Sequence, residues 1–460
     1  MAQNKRTDYQ SIPELRTQTM FPSFTVEGEI KRGPLERFLS LFADVRAGEG
    51  ASALVMTLNV LLLLSAYYLL KTAREPLILT EGGATVKAYS AGGQAALLMA
   101  LVPLYGYVAS KVNRLKLVIG LMLFFASHLL IFQAMGVAGA AIGVAFYIWV
   151  GIFNVFVISQ FWAFANDLYT EGQGKRLFPM IGVGASLGAL AGSQAATWLF
   201  KEFQLSPYAL MTGAAALLGV CSGLVFLANS LENNRESNAM NKHANDKVEG
   251  ENGFSLVRKS RYLTLIAMLI VLLNVVNTTG EFLLSSVVSE EAQKLHPDDK
   301  DARGKFIGGF YGEYFSWVNL LGLLLQTFAV SRIFDFIGVR GSLFILPSLA
   351  LTSYSLMAVA PILSVVRAAK MAENATDYSL QNTVRQALFL PTSRAEKYKA
   401  KAAIDTFFMR MGDVLQAGIV KAGSELSVGF TGFAWFNASL TVVWLYIAYL
   451  LGREHRKMGF

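Results

Sequence analysis

Tyr67-Tyr68-Leu69-Leu70-Lys71-Thr72-Ala73-Arg74-Glu75-Pro76-Leu77-Ile78-Leu79 is an apolar stretch that contains three ionisable residues, and it continues a hydrophobic run that begins near Ala51. By position it lies at or just inside a membrane boundary. A charge near the bilayer centre costs about 2.5 kcal/mol or more, so such residues face a protein interior or a wet cavity. The stretch therefore predicts an anion site inside a membrane. Alternatively, Lys71 and Arg74 extend to the lipid headgroups and pair with Glu75 there.

The composition is that of an integral membrane protein. Of the 460 residues, 54% are hydrophobic and 16% charged, and mean hydropathy is +0.44, whereas a soluble domain carries about 25% charged residues. The single cysteine, Cys221, excludes a disulfide framework or a cysteine metal site. The four histidines are scattered, and no phosphate-binding loop or catalytic triad motif occurs. We expect no enzyme, no cofactor and no metal.

Apolar runs of membrane-spanning length are arranged in two groups of six. The fold predicted is an all-α integral membrane protein with twelve transmembrane helices in two six-helix halves, as in a major-facilitator-type transporter. The domains predicted are a tail with an amphipathic surface helix (1–50), a first bundle (51–229), a polar linker (230–260), a second bundle (261–452) and a tail (453–460). The spans predicted are 51–72, 88–109, 115–135, 140–167, 177–200, 207–229, 261–288, 306–331, 340–360, 362–389, 402–424 and 432–452.

Basic residues set the predicted orientation, because cytoplasmic loops carry an excess of Lys and Arg. Most basic loop residues fall on one side of the predicted spans, and the opposite side is acidic in its longest loop, from Glu290 to Asp301. Both termini are therefore predicted to be cytoplasmic, in a bacterial inner membrane. The net charge of +8 reflects this topology, so we expect no nucleic-acid partner. We expect a monomer in the lipid bilayer.

Two predicted spans near the C-terminus carry regularly spaced polar residues. In span ten the spacing of three and four places them on one helix face that must point into the bundle: Lys370, Glu373, Asn374, Asp377, Gln381 and Arg385. An internal network that locks helices together, with pairs Lys370–Glu373 or Asp377–Gln381, is the alternative to a transport pathway. In span eleven the spacing predicts two salt bridges, Lys401–Asp405 and Arg410–Asp413.

Two further motifs have structural explanations. Phe161-Trp162-Ala163-Phe164-Ala165-Asn166 ends span four, where aromatic residues favour an interfacial belt, with nucleobase stacking as the alternative. Gly182, Gly184, Gly188 and Gly192 form a ridge of small residues in span five, which predicts close approach of another helix.

Several stretches resemble the non-mitochondrial nucleotide transporters, the ATP/ADP translocase family of plastids and intracellular bacteria. They are 68–80, 161–166, Lys175-Arg176-Leu177-Phe178-Pro179-Met180-Ile181-Gly182-Val183-Gly184-Ala185 and Lys399-Ala400-Lys401-Ala402-Ala403-Ile404-Asp405. The resemblance implies a twelve-helix carrier that exchanges nucleotides by alternating access. It also implies that Arg74 and Glu75 stand for the Lys-Asp pair of the family, and Glu281 for its acidic residue in span seven.

Two positions depart from the family pattern: Gly151 stands where the family has Glu, and Asp413 where it has Lys. A non-nucleotide solute or amphipathic compound moved by a proton-coupled carrier therefore stays an alternative, as does a carrier-fold sensor or scaffold. The substrate-binding residues predicted are Lys71, Arg74, Asn166, Glu281, Arg385, Lys401 and Arg410, for a small anionic solute. The gating or proton-coupling residues predicted are Glu75, Glu373, Asp377, Asp405 and Asp413.

Overall fold

The structure is a computed structural model that describes residues 33–40, 43–109, 112–233, 252–393 and 396–458. All regular elements in these ranges are helical. The first set is α1 Pro34–Leu39, α2 Gly50–Ala109, α3 Arg114–Val137, α4 Gly143–Leu168, α5 Glu171–Lys201, α6 Pro207–Asn233, α7 Gly253–Lys259 and α8 Arg261–Leu295. The second set is α9 Lys300–Leu324, α10 Val330–Ser342, α11 Ile345–Val359, α12 Leu363–Thr376, α13 Asn382–Ala387, α14 Lys401–Ala403, α15 Met409–Glu425 and α16 Phe430–Lys457.

Eight helices of the described ranges are long and apolar enough to cross a membrane, by length and composition. This confirms a multi-pass helical membrane protein, whereas the count of twelve spans stays a prediction. We call residues 50–233 the first half and residues 253–457 the second half. The predicted polar linker falls mostly on residues 234–251, outside the described ranges, as do residues 1–32 of the predicted tail.

The long helix α2 contains a break at Gly83, where φ is 67° and ψ is −173°. An unbroken helix of 60 residues would be about 90 Å long, three times the thickness of a bilayer core. Glycine has no Cβ and therefore adopts this positive φ readily. The first helical segment of α2 consequently continues to residue 82, ten residues beyond the predicted end of the first span. Lys71, Arg74 and Glu75 therefore lie well inside a helical segment.

The second half contains several π-helical turns. They occupy residues 325–329, 377–381, 396–400 and 404–408 and continue into the neighbouring α-helices. The 377–381 turn joins α12 to α13, so the predicted span 362–389 is one helical segment from residue 363 to 387. π-Helical turns of this kind occur frequently at functional sites.

Two clusters of buried apolar residues form the interior. One lies within residues 39–228, and the other consists of residues 257–451 together with six residues of the first half, among them Tyr68, Ala88 and Tyr147. The second cluster therefore extends across the boundary between the halves. The domain limits predicted from the sequence stay predictions.

The predicted glycine ridge of α5 packs directly on α2. A Cβ atom at Gly184 would lie 2.8 Å from the carbonyl oxygen of Thr57, and one at Gly192 would lie 2.5 Å from that of Ser65. At Gly188 a Cβ would collide with the carbonyl oxygen of Leu61, whereas Gly182 faces open space. Three of the four glycines therefore allow the close approach that was predicted.

The amphipathic helix predicted before span one is shorter than its pattern suggests. That pattern consists of apolar residues at helical spacing: Leu35, Phe38, Leu39, Phe42 and Val45. α1 ends at Leu39, and Phe42 lies outside the described residues. Leu39 and Val45 are buried, whereas Phe38 is 59% exposed. The apolar residues of this pattern therefore do not form one continuous helical face.

Candidate functional site

A cavity of about 190 Å³ lies between the two halves and is lined by both. Five charged residues contribute to its wall: Lys71, Arg74, Glu75, Lys87 and Glu281. The first four come from α2 and the last from α8. Three cations and two carboxylates leave one excess positive charge at the wall.

Glu75 is the buried centre of an ion-pair group. Its Oε1 accepts from Nε of Arg74 at 3.1 Å, and its Oε2 lies 2.6 Å from Nζ of Lys87. Glu75 is 1% exposed, and the side chains of Arg74 and Lys87 are 14% and 8% exposed. Lys71 is also buried. The alternative in which these groups extend to lipid headgroups is therefore wrong.

Lys87 also connects the two halves. Its ammonium group donates to the hydroxyl of Ser285 at 2.8 Å, and that hydroxyl lies 2.9 Å from the hydroxyl of Tyr311. The sequence analysis missed Lys87, because it precedes the predicted second span and no local pattern links it to Glu75. The feature of the sequence that could have indicated Lys87 is a single lysine followed by about twenty residues without a charge.

Lys71 is surrounded by aromatic rings. Its ammonium nitrogen lies 4.3 Å from the ring centre of Phe315, 5.0 Å from that of Tyr68 and 5.7 Å from that of Tyr378. Cations are attracted to aromatic faces at these distances. Among the described residues, no carboxylate oxygen lies within 4.0 Å of Lys71. Lys71 is therefore the cation of the cavity that is not neutralised by a direct ion pair.

The guanidinium of Arg74 stacks on an aromatic ring of α4. Its central carbon lies 4.4 Å from the ring centre of Tyr147. Tyr147 lines the cavity as well. This contact, together with the pair to Glu75, fixes the orientation of Arg74 at the cavity wall.

The second half contributes a polar network around Lys370. The fully buried ammonium group of Lys370 lies 2.9 Å from Oε2 of Glu373 and donates to Oδ1 of Asn277 at 2.7 Å. The hydroxyl of Tyr354 also donates to the Glu373 carboxylate. The predicted Lys370–Glu373 pair is confirmed. Glu281, at the cavity wall, accepts from Nδ2 of Asn374 at 2.7 Å and lies 4.0 Å from Lys370.

The other predicted pair of this face does not form. Asp377 and Gln381 have buried polar atoms without a hydrogen-bond partner among the described residues. They are the first and last residues of the π-helical turn 377–381, in which backbone hydrogen bonds join residues that are five positions apart. The spacing of four therefore no longer aligns the two side chains as in an α-helix.

Both salt bridges predicted near the start of span eleven are present. Nζ of Lys401 lies 2.7 Å from Oδ2 of Asp405, and Arg410 lies 3.4 Å from Oδ2 of Asp413. Asp405 is shared with Arg385, at 3.5 Å. Asp413 also accepts from Nδ2 of Asn274 at 2.7 Å. These residues do not line the cavity.

Two predicted positions on α4 have different surroundings. Asn166 is exposed near the end of α4 and does not reach the cavity. Gly151 is buried against Gln94 of α2, whose side chain occupies the place that a Cβ at Gly151 would need. A side chain at position 151 therefore requires that Gln94 move.

A second, larger cavity of about 900 Å³ lies where α5 meets α9 and α12. On its wall, the carboxylate of Glu313 lies 2.7 Å from Nζ of Lys201 and 3.2 Å from the guanidinium of Arg367. Lys201 belongs to the first half, and the other two residues belong to the second. The two halves are therefore in contact at the end of the bundle where α8 is followed by α9.

Comparisons with known proteins agree with this architecture. Residues 143–353 match the family model described as TLC ATP/ADP transporter. The chain is similar to ADP,ATP carrier protein 1 of Chlamydia pneumoniae, with 21% identity over 351 residues, 67% of this chain and 66% of that carrier. It is also similar to ADP,ATP carrier protein 1 of Chlamydia trachomatis serovar D, with 22% identity over 64% of this chain and 61% of that carrier. The match thus spans less than two thirds of each carrier.

Solved structures share the fold. The nucleoside transporter NupG has a TM-score of 0.59 and 14% identity, covering 88% of this chain and 98% of that protein. A bacterial homologue of the human lysosomal transporter Spinster, in an inward-facing and unoccupied conformation, has a TM-score of 0.57 and 15% identity, covering 89% and 98%. The chain is therefore a multi-pass membrane protein with a major-facilitator-like fold, and its predicted resemblance to the ATP/ADP translocase family is confirmed by the match of residues 143–353.

Proposed function

We propose that this protein is a secondary transporter that exchanges nucleotides, in the manner of an ATP/ADP carrier, by alternating access across a bacterial inner membrane. Both termini would be cytoplasmic. The observation that carries the proposal is the excess of cations in a cavity between the halves, where Lys71 has no carboxylate within 4.0 Å among the described residues. The transporter family of the domain supports the same conclusion.

The cavity offers complementary groups for the two parts of a nucleotide. Lys71 and Arg74 suit phosphate oxygens, and the guanidinium provides bidentate geometry. The rings of Tyr147, Phe315 and Tyr378 at the wall suit a base, since aromatic side chains stack on nucleobases. Glu75 would hold Arg74 and Lys87 in place when no substrate is bound. Arg385, Lys401 and Arg410 would engage the anion elsewhere on its path.

The size of the cavity favours a second candidate in the same class. At about 190 Å³ it is smaller than the ~300–1,000 Å³ of pockets that enclose drug-sized ligands. A nucleotide would therefore require the halves to move apart at the site. A smaller phosphorylated or carboxylated metabolite would require less movement, and Gly151 and Asp413 depart from the nucleotide-exchanging pattern.

Exchange in liposomes tests the proposal. We expect purified protein to exchange external labelled ADP for internal ATP. In Lys71→Gln the apparent affinity should fall about 10- to 100-fold, because a hydrogen bond to a charged group contributes about 1.5–3 kcal/mol. Lys294→Gln is the matched control, because Lys294 is 64% exposed and pairs with Glu290 at the surface. Unchanged exchange in Lys71→Gln would contradict the site.

Thermal unfolding of the purified protein distinguishes the two candidates. A ligand at about 100 times its dissociation constant stabilises the folded state by about 2.7 kcal/mol. A shift with ATP or ADP that is lost in Lys71→Gln supports the nucleotide carrier. If sugar phosphates or carboxylates raise the unfolding temperature and nucleotides do not, the nucleotide carrier is rejected in favour of a carrier of a smaller metabolite.

A further inference from the structure

The helical segment 363–387 has several buried polar atoms without partners between residues 374 and 385. Within the described residues, no hydrogen bond reaches Oδ1 of Asn374, Oδ1 of Asp377, either polar atom of the Gln381 side chain, or Nε of Arg385. Gln381 is 1% exposed and Asn374 3% exposed. A buried polar atom that nothing satisfies destabilises the folded state, so a partner is expected at each of these positions. Ordered water is the usual partner of polar groups at such sites.

These four side chains, which we call the polar stripe, connect two carboxylates that are partly open to solvent. At one end, Asn374 donates to Glu281, which lines the cavity and is 27% exposed. At the other end, Arg385 lies 3.5 Å from Asp405, which is 28% exposed. The eleven residue steps from Asn374 to Arg385 rise about 16 Å along a helix axis. The polar stripe is therefore long enough to cross about half of a bilayer core.

We propose that the polar stripe is a water-lined proton pathway, and that Asp377 is the carboxyl group that binds a proton coupled to transport. The proposal rests on the proposed function, because the proton would drive the movement of the anion. A proton would bind at Oδ1 of Asp377, neutralise the carboxylate and leave by the same water, with no other bond formed or broken.

The charges around Asp377 distinguish it from the other carboxylates of the segment. Glu373 is bound by Lys370 and Tyr354, and Asp405 by two cations. Asp377 has no cation within 4.0 Å among the residues that the structure describes. Its carboxylate can therefore exchange a proton with water without first breaking an ion pair.

The charged groups that act on Asp377 through space are Arg385, Glu373 and Lys370, all in its own helical segment. Four other elements pack against residues 377–381: α9, the turn 325–329, α10 and α2, whose Lys71 lies 5.7 Å from the ring centre of Tyr378. On α9, Glu313 is engaged by Lys201 and Arg367, and the turn 325–329 has no charged residue. On α10, Arg332 donates to the carbonyl oxygen of Phe328, and Asp335 is exposed.

The charge balance of the cavity explains why a proton would assist the binding of an anion. The cavity wall has one excess positive charge, whereas a nucleotide di- or triphosphate carries several negative charges. A proton on the polar stripe supplies one more positive charge close to Asn374 and Glu281, and it leaves when the anion has been released. Such a carrier couples the uphill movement of the anion to a pH gradient.

The test uses the full-length protein in liposomes. We expect an acid-outside gradient to raise net ADP uptake into empty liposomes, with a limit of about tenfold in the accumulation ratio per pH unit for one proton. Asp377→Asn should abolish this stimulation and keep ADP/ATP exchange at equal pH. Asp335→Asn is the matched control, because it removes an exposed carboxylate on the neighbouring α10.

A second readout needs no substrate. Infrared difference spectra between acidic and neutral pH should contain the carbonyl band of a protonated buried carboxyl group in the wild type and in Asp335→Asn. The band should be absent in Asp377→Asn. Gradient stimulation that survives in Asp377→Asn overturns the proposal, as does stimulation by a sodium gradient with none by protons. If no nucleotide is exchanged, the proposed function fails, and the infrared band alone decides the proton site.

Discussion

The ammonium group of Lys201 lies 2.7 Å from Oε1 of Glu313, so one ion pair joins α5 of the first half to α9 of the second half. The side chains are 42% and 35% exposed, and an ion pair this open contributes about 0–1 kcal/mol to stability. A contribution of this size is small for folding. It is large for an equilibrium between two arrangements of the halves, since 1 kcal/mol changes a ratio about fivefold.

Removing the charge of Glu313 should loosen this end of the bundle. The reporter is Thr197→Cys, whose reaction with an impermeant maleimide is measured with and without Glu313→Gln. We expect Glu313→Gln to make this reaction up to about fivefold faster, because the closed arrangement loses about 1 kcal/mol of stability. Thr197 is buried against Gly312 across the halves, and the native Cys221 is buried. Glu290→Gln, which breaks an exposed pair within α8, is the control. Equal labelling in both variants would show that the ion pair does not hold this end closed.

Lys87 should matter for stability, in contrast to Lys71. Lys87→Met leaves the buried Glu75 with Arg74 alone, and removing a partner of a buried pair costs about 3–5 kcal/mol when no other remains. We expect Lys87→Met to lower the free energy of unfolding by an amount at or below the lower end of that range. The double variant Glu75→Gln/Lys87→Met should lose less, because it leaves no buried carboxylate at position 75. Lys71→Met should unfold close to the wild-type temperature, because no carboxylate of the described residues lies within 4.0 Å of Lys71. Equal losses in the two lysine variants would contradict the ion-pair assignment.

The glycines of α5 provide an internal comparison. Gly188→Ala should destabilise the protein by about 1–3 kcal/mol, because the added methyl group collides with the backbone of Leu61. Gly182→Ala, on the same helix, meets open space and should stabilise it by up to about 1 kcal/mol through helix propensity. Thermal unfolding in detergent measures both. A Gly188→Ala protein as stable as Gly182→Ala would mean that α5 and α2 are farther apart than described.

Gln94 and Gly151 should be coupled. Gly151→Ala places a methyl group where the Gln94 side chain lies, so we expect a loss of about 1–3 kcal/mol. Gln94→Ala should remove most of that loss, and the double-mutant cycle should give a coupling of at least about 0.5 kcal/mol. Additive effects of the two substitutions would indicate that they do not share the space.

The sequence predicted best what depends on one helix alone. The fold class follows from long apolar runs, and the pairs Lys370–Glu373 and Lys401–Asp405 follow from a spacing of one turn. Three charges in an apolar run pointed to residues that line a cavity between the halves, although the helix that carries them is longer than predicted.

Contacts between helices could not be predicted in the same way. Lys87 reaches Ser285 across 198 residues of sequence, and Asn274 reaches Asp413 across 139. Such pairs depend on which helices are neighbours, and no local spacing records that. The Asp377–Gln381 pair failed for a different reason, because a π-helical turn changed the register of the helix.

That turn has a mechanical consequence. Each residue of an α-helix turns the chain by about 100° around the helix axis. A π-helical turn accommodates one extra residue, so a change of this turn to α-helical hydrogen bonding would rotate the residues after it relative to those before it. At residues 377–381 such a change would swing Arg385 around the axis relative to Lys370 while the helix ends move little. A change of bonding at this turn would therefore alter how the two ends of the segment 363–387 face each other without any movement between the halves.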